Sequence, residues 1–252
     1  MTVTSSAVGD GYLVRSLAVT YPDGFVISDH DHPWGQLVHG RTGIMRVETE
    51  GRVWLSPATR AVWLPAFRPH RIVMKGAVAM RTLYLAPEAA ADLPGAAAVL
   101  EVGPLLRELV LHILAIGMLD PAVPAHARLT NVLSDLMAAA PREDLALPLP
   151  SDPRARALAE RLHAQPDDRT DFPALARQTG ASLRTLQRIF PRETGLSLEG
   201  WRQKARMIHA VAALAAGASV TGAALDCGYD SVSAFIAAFK RAFGTTPARY
   251  RP

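Results

Sequence analysis

Two histidines one residue apart, His30 and His32, stand just ahead of Gln36 in the stretch HDHPWGQ, residues 30–36; a third, His70, follows later in the same β-rich region. Imidazole nitrogens beside an amide oxygen form a donor set for a divalent transition metal: Zn, Ni, Fe(II) or Cu. The same groups would serve equally as polar members of an organic ligand pocket. In a strand, residues i and i+2 share a face, so His30, His32 and Gln36 are expected to point the same way. A neighbouring strand could then bring His70 alongside. Trp34, Trp54, Trp63 and Tyr84 lie in the same part of the chain and are the candidate lining of an effector pocket.

A second set of residues suits a different chemistry. In SLRTLQRIF, Arg184, Gln187 and Arg188 fall opposite Leu183, Leu186, Ile189 and Phe190 at helical spacing. Arg pairs bidentately with guanine and Gln with adenine, so this face suits base edges in a major groove. Further on, Ser231, Ser233, Lys240 and Arg241 share a helix whose other outward positions, Val232 and Ala237, carry no side-chain hydrogen-bonding group. That helix is expected to grip phosphates more than to read bases.

The elements that must position these groups follow from periodicity. Residues 12–85 contain short runs rich in β-branched and aromatic residues, separated by turn residues, which suggests a β-sandwich or barrel. Residues 104–118 and 126–139 carry a wide apolar helical stripe and form a helical hairpin, a candidate homodimer surface. Residues 141–153, PREDLALPLPSDP, hold four prolines and are expected to be a semi-rigid linker. From 154 to 252 the chain reads as helical. Two helix–turn–helix units, 171–195 and 219–251, are joined by a continuous helix over 198–216. The expected fold class is a two-domain α+β protein: 1–140 sensing and dimerising, 154–252 binding DNA.

Charge agrees with that division. Residues 151–252 hold 15 Lys and Arg against 9 Asp and Glu, whereas residues 1–150 hold 12 against 14. The C-terminal part is therefore the side expected to meet a polyanion. No uninterrupted apolar run reaches transmembrane length, and the start shows no secretory pattern. The lone cysteine, Cys227, cannot pair internally and reads as a small buried hydrophobe; cytoplasmic localisation is expected.

Two resemblances sharpen these readings. LARQTGASLRTLQRIFPRETGLSLEGWRQKAR followed by ALDCGYDSVSAFIAAFKRAFGTTPARYR resembles the DNA-binding domain of AraC/XylS-type bacterial transcription regulators, over roughly 95 residues. This implies double-stranded DNA as partner and one recognition helix per unit. Gly24, the pair His30 and His32, Gln36 and Gly43 match the spacing of the first cupin motif, with Gln in place of Glu. PAFRPH, residues 65–70, matches the second motif more loosely, with Phe67 where a Gly is usual. This resemblance implies a cupin-like barrel with metal ligands at His30, His32, Gln36 and His70. The combined expectation is a ligand- or metal-responsive transcription regulator. The alternatives are a metal-dependent cupin enzyme and a dimeric DNA-binding protein that senses nothing.

Overall fold

The computed structural model describes residues 11–250. They form two compact units: the described residues to Glu50 with Trp54–Leu145, and Gly51–Val53 with the chain from Ala146 onward. Among the described residues, no helix is long and apolar enough to cross a membrane.

The first unit is built on two antiparallel sheets and a helical hairpin. Its elements are β1 (Val14–Tyr21), β2 (Val26–His30), β3 (Gly35–His39), β4 (Ile44–Thr49), β5 (Arg52–Ser56), β6 (Arg60–Leu64), β7 (His70–Lys75), β8 (Val78–Leu85), β9 (Ala98–Glu101), α1 (Pro104–Ile116), β10 (Met118–Leu119), α2 (Pro124–Ala139) and β11 (Arg142–Glu143). One sheet runs β10-β1-β8-β3-β6-β9-β11; the other contains β5-β4-β7-β2.

Alternation along the first sheet gives it two unlike faces. Leu37, Trp63, Leu83 and Leu85 share a core with Leu106, Leu109, Val110 and Ile113 of α1 and Leu133 and Met137 of α2. Each such buried side chain contributes roughly 1.5–3 kcal/mol. Gly35 is needed there, because a Cβ on it would lie 2.1 Å from the Trp63 ring. The hairpin's inner stripe is thus spent within this unit. Leu105, Ile116, Val123 and Val132 remain exposed.

The proline-rich stretch 141–153 is more ordered than its composition suggested. Arg142 and Glu143 pair with β9, and Glu143 takes a two-pronged ion pair from the buried Arg60, with Nε at 3.1 Å and Nη2 at 2.8 Å. Residues Ala146–Pro148 form β12 in the second unit. Proline is tolerated at strand ends and edges, and the apolar residues between these prolines are buried.

His39 is buried and turned away from the candidate metal set, on the same face as Leu37. Burial pushes its imidazole down to about 4. The Arg60 carbonyl raises it and the Arg107 charge lowers it, both more weakly. The unfolded chain takes up this proton near 6.5, and the folded chain refuses it until about 4. Stability should therefore fall as pH drops through that window and level off below it, by roughly 3 kcal/mol for this residue. Thermal melts of wild type and His39→Gln at pH 7 and pH 4.5 check this: the variant should lose less on acidification. Equal losses would remove His39 as the cause.

The second unit is helical after β12 (Ala146–Pro148): α3 (Pro153–Ala164), α4 (Phe172–Gln178), α5 (Leu183–Thr194), α6 (Leu198–Ala215), α7 (Val220–Asp226), α8 (Val232–Phe243) and α9 (Pro247–Tyr250). The starts of six successive helices are written in the sequence. Asp152, Asp171, Ser182, Ser197, Ser219 and Ser231 each accept a backbone N–H as N-cap of α3 to α8. Gly195 and Gly244 end α5 and α8 in the left-handed conformation, which glycine adopts without a Cβ clash. Trp201, Phe190, Phe235 and Phe239 are the largest buried side chains of this unit.

Candidate functional site

His30 ends β2 and pairs across the sheet with His70, which begins β7. A register shift between Ile27 and His30 sets that pairing. His32 lies beyond the strand, in the loop leading to β3, so its orientation does not come from strand alternation as the sequence suggested. It is set by contacts instead: His32 Nδ1 meets the Trp34 carbonyl at 2.7 Å and Nε2 meets Gln36 Oε1 at 3.1 Å. The ring centroids are 4.2 Å apart for His30–His70, 5.1 Å for His32–His70 and 5.9 Å for His30–His32. One ligand atom from each of the three lies within 4.8 Å of those from the other two. Gln36, on β3 of the other sheet, joins the group through His32.

The hydrogen bonds fix the tautomers. The Nδ1–H of His30 donates to the Ser28 carbonyl, that of His32 to the Trp34 carbonyl and that of His70 to the Arg68 carbonyl. A carbonyl only accepts, so each Nδ1 carries a proton, and in the neutral ring Nε2 is the nitrogen with the lone pair. Such outer contacts are what orients a metal-ligating histidine. His70 Nε2 is buried and has no hydrogen-bond partner among the described residues. Burial pushes His70 down to about 4. The Arg68 carbonyl raises it, His30 and His32 lower it, and Asp29 raises it. His32 is also lowered, by burial first, against the Gln36 and Trp34 contacts that favour the cation. Neutral His32 has one proton for two acceptors. In that neutral form Nε2 and Gln36 Oε1 both present lone pairs, an arrangement that either a proton on Nε2 or a metal ion satisfies. The donor set fits a divalent ion.

The four aromatic candidates divide. Tyr84 stands edge-on to His32 at 5.1 Å and clusters with Trp34 and Ala86. Trp63 is not at this site: it pairs with Leu37, packs in the hairpin core and donates its indole N–H to the Pro94 carbonyl at 2.8 Å. Its position is one residue out of phase with Leu64, which pairs with Gln36, so it faces the other side of the sheet. Trp54 is buried, and its indole nitrogen has no hydrogen-bond partner among the described residues. Phe67 adopts the left-handed backbone that glycine favours. Its φ is 58°, and its N–H donates to the His32 carbonyl at 2.8 Å.

Two contributors were not legible beforehand. Arg15 lays its guanidinium over Trp34 at 4.5 Å and pairs across the sheet with Tyr84. Thr82 accepts from Gln36 Nε2 at 3.0 Å and donates to the Leu37 carbonyl at 2.9 Å, which turns the amide oxygen toward His32. Thr82 shares the Gln36 face of its sheet, but register across strands distant in sequence is needed to see that.

In the second unit, α4 and α5 are joined by a turn at Gly180, whose φ is 70°, and α7 and α8 by one at Gly228, whose φ is 74°. Arg184, Gln187 and Arg188 are exposed on one face of α5, opposite buried Leu186, Ile189 and Phe190. On α8, Ser233, Ala237, Lys240 and Arg241 are exposed, opposite buried Phe235 and Phe239. Ser231 precedes α8 and its hydroxyl accepts from Ala234 N–H as the cap, so the helix itself uses this oxygen. Cys227 is buried between α7 and α8, its thiol pushed up to about 12 by burial.

Residues 16–170 match the family model described as an AraC-like ligand binding domain, and residues 175–252 match a helix-turn-helix domain. The HTH-type transcriptional regulator NimR of Escherichia coli (strain K12) is 34% identical over 224 residues, covering 88% of this chain and 81% of that one. The chain belongs to the AraC family of transcription regulators. This AraC-family protein is a DNA-binding regulator with a ligand-binding domain. It is also similar to the HTH-type transcriptional regulator RipA of Corynebacterium glutamicum, 38% identical over 103 residues, 41% of this chain and 31% of that one. Among solved structures, the DNA-binding domain of AdpA in complex with a target DNA is 33% identical. It covers 40% of this chain and 91% of that one, with a TM-score of 0.37. The helix-turn-helix domain is the DNA-binding part of the chain.

Proposed function

We propose that this AraC-family regulator senses through a divalent transition ion, Zn, Ni, Fe(II) or Cu, held by His30, His32 and His70 with Gln36 Oε1 beside them. One observation carries the reading: three Nδ1–H groups are tied to backbone carbonyls, one ligand nitrogen from each of the three rings lies within 4.8 Å of the others, and His70 Nε2 is buried without a hydrogen-bond partner among the described residues. When bound, the ion would supply a Lewis-acidic point at which an oxygen or nitrogen donor can bind. The chain's residues hold it, orient their ligand nitrogens through the Nδ1–H contacts, and bring Tyr84 and Trp34 alongside. Effector binding would favour one arrangement of the regulator over another, and DNA affinity would follow.

In this reading α5 reads bases through Arg184, Gln187 and Arg188, and α8 grips phosphates through Ser233, Lys240 and Arg241. A homodimer through 104–139 belongs to it as well, using the hairpin residues left exposed, Leu105, Ile116 and Val132. A cytoplasmic location belongs to this reading, because the regulator must reach DNA.

The test is the metal content of tag-free full-length protein beside a His32→Ala, His70→Ala double variant, both after loading with Zn, Ni and Fe(II). Wild type should carry close to one ion per chain, and the variant should lose it, with affinity reduced more than about 100-fold. Metal-free wild type after all three loadings and after loading with Cu sinks the proposal. The site is then a polar organic pocket.

A further inference from the structure

Resting on the metal reading above, we infer that the ligand of this sensor is a small organic anion, a carboxylate that binds the ion directly, and that Gln36 is the residue that sets this requirement. The argument is one of charge. The donor set consists of three imidazoles and an amide, all neutral. The amide is locked with its oxygen inward. The single hydroxyl proton of Thr82 goes to the Leu37 carbonyl at 2.9 Å, so Thr82 can only accept from Gln36, and it takes the Nε2 proton at 3.0 Å. Gln36 Oε1 is left facing His32 Nε2 at 3.1 Å. Gln36 is 1% exposed and His70 is also 1% exposed, so the charge of the ion would not be dispersed by water on that side.

Among the described residues, no carboxylate joins the three histidines. Asp29 and Asp31 flank His30 in sequence, but both are exposed and lie outside the ligand cluster. None of the groups in the cluster neutralises a dication held here, and on the His70 and Gln36 side the site is buried. An uncompensated buried charge is costly, and a bound cation dominates the local electrostatics. With no carboxylate in the cluster, the compensating negative charge is left to hydroxide from bound water or to an anionic ligand, and an organic acid competes with hydroxide for the same position.

The surroundings indicate what else that ligand carries. Beside His32 lie Tyr84 and Trp34, with Leu13 and Leu17 packed against them. Arg15 lies over Trp34, so a second positive charge borders the same aromatic surface. An acid with a flat or apolar body places its carboxylate on the ion and its body against Tyr84 and Trp34. A sugar or a cation would leave the charge of the ion unbalanced.

The experiment uses full-length protein loaded with Co(II), whose visible d–d bands report the ligand set. Azide serves as the bare anion and benzoate as the carboxylate with an apolar body. Both should change the wild-type spectrum in a saturable way, benzoate at the lower concentration. Gln36→Glu supplies the missing charge from the chain. It should bind Co(II) at least tenfold more tightly and respond to either anion at least tenfold more weakly. Co(II) uptake with no response to either anion overturns the inference and leaves the metal reading standing. Undiminished anion affinity in a folded, Co(II)-loaded Gln36→Glu removes Gln36 from its role. If that variant does not fold, the wild-type titrations still decide whether the ion takes anions. Failure of wild type to take up Co(II) overturns the metal reading and this inference together.

Discussion

Trp201→Ala is expected to destabilise the C-terminal unit by about 3–5 kcal/mol, the usual range for deleting a buried large aromatic ring. Trp201 is fully buried in α6, at 5.8 Å from Phe190 of α5 in an edge-on contact. Its indole N–H donates to the Pro148 carbonyl at 2.6 Å. The substitution opens a cavity and strands that carbonyl, and the two losses act in the same direction. A domain of this size is stable by roughly 5–15 kcal/mol, so much of the margin goes. Since α6 links the two helix-turn-helix units, DNA binding should fail at temperatures where wild type binds. Urea unfolding followed by circular dichroism measures the change. Trp201→Phe, which keeps most of the packing, should lose clearly less. A loss below about 1 kcal/mol for Trp201→Ala would mean the site collapses around the gap, and that α6 does not depend on this ring.

The second large effect concerns DNA. Arg184→Ala and Arg188→Ala together should weaken binding to a selected target duplex by about 2–6 kcal/mol, the sum of two bidentate base contacts at about 1–3 kcal/mol each. The α5 fold should survive, because both side chains are exposed and neither has a partner holding the helix. Discrimination should relax at one base position per variant. Lys240→Ala should act differently. It should lower affinity almost equally for all sequences and reduce the salt slope by about one. Binding to randomised duplexes at several salt concentrations separates the two outcomes. A uniform loss from the arginine variants would make them phosphate contacts and leave base reading to another face.

The C-terminal unit was legible in the sequence because its signals are local. Six Ser or Asp caps start six helices, Gly195 and Gly244 stop two of them, and apolar residues recur at helical spacing. Each signal acts within one or two turns of chain, so no tertiary knowledge is needed to place Arg184, Gln187 and Arg188 opposite Ile189 and Phe190. The linker was the exception. Its prolines suggested a spacer, yet Arg142 and Glu143 add to a sheet. Their partners, Val99 and Leu100, lie far back in the sequence, and no local pattern announces them.

The sensor domain shows the complementary case. Residue types and spacing were enough to nominate His30, His32, Gln36 and His70 and to single out Phe67 as a departure from the usual glycine. Which of them meet, and how, was decided by pairings between distant strands. His30 faces His70 through a shifted register, and His32 is aimed by the Trp34 carbonyl and Gln36 rather than by strand alternation. Trp63 goes to the hairpin core because it is one residue out of phase with Leu64, and Arg15 reaches Trp34 because β1 lies beside β8. Composition, caps and spacing thus determined the two-domain plan and the chemistry available to each part, since they act along the chain. Tertiary structure alone decided the orientation of the Gln36 amide and the convergence of three imidazole nitrogens. Both depend on hydrogen bonds and sheet registers between segments that only folding brings together.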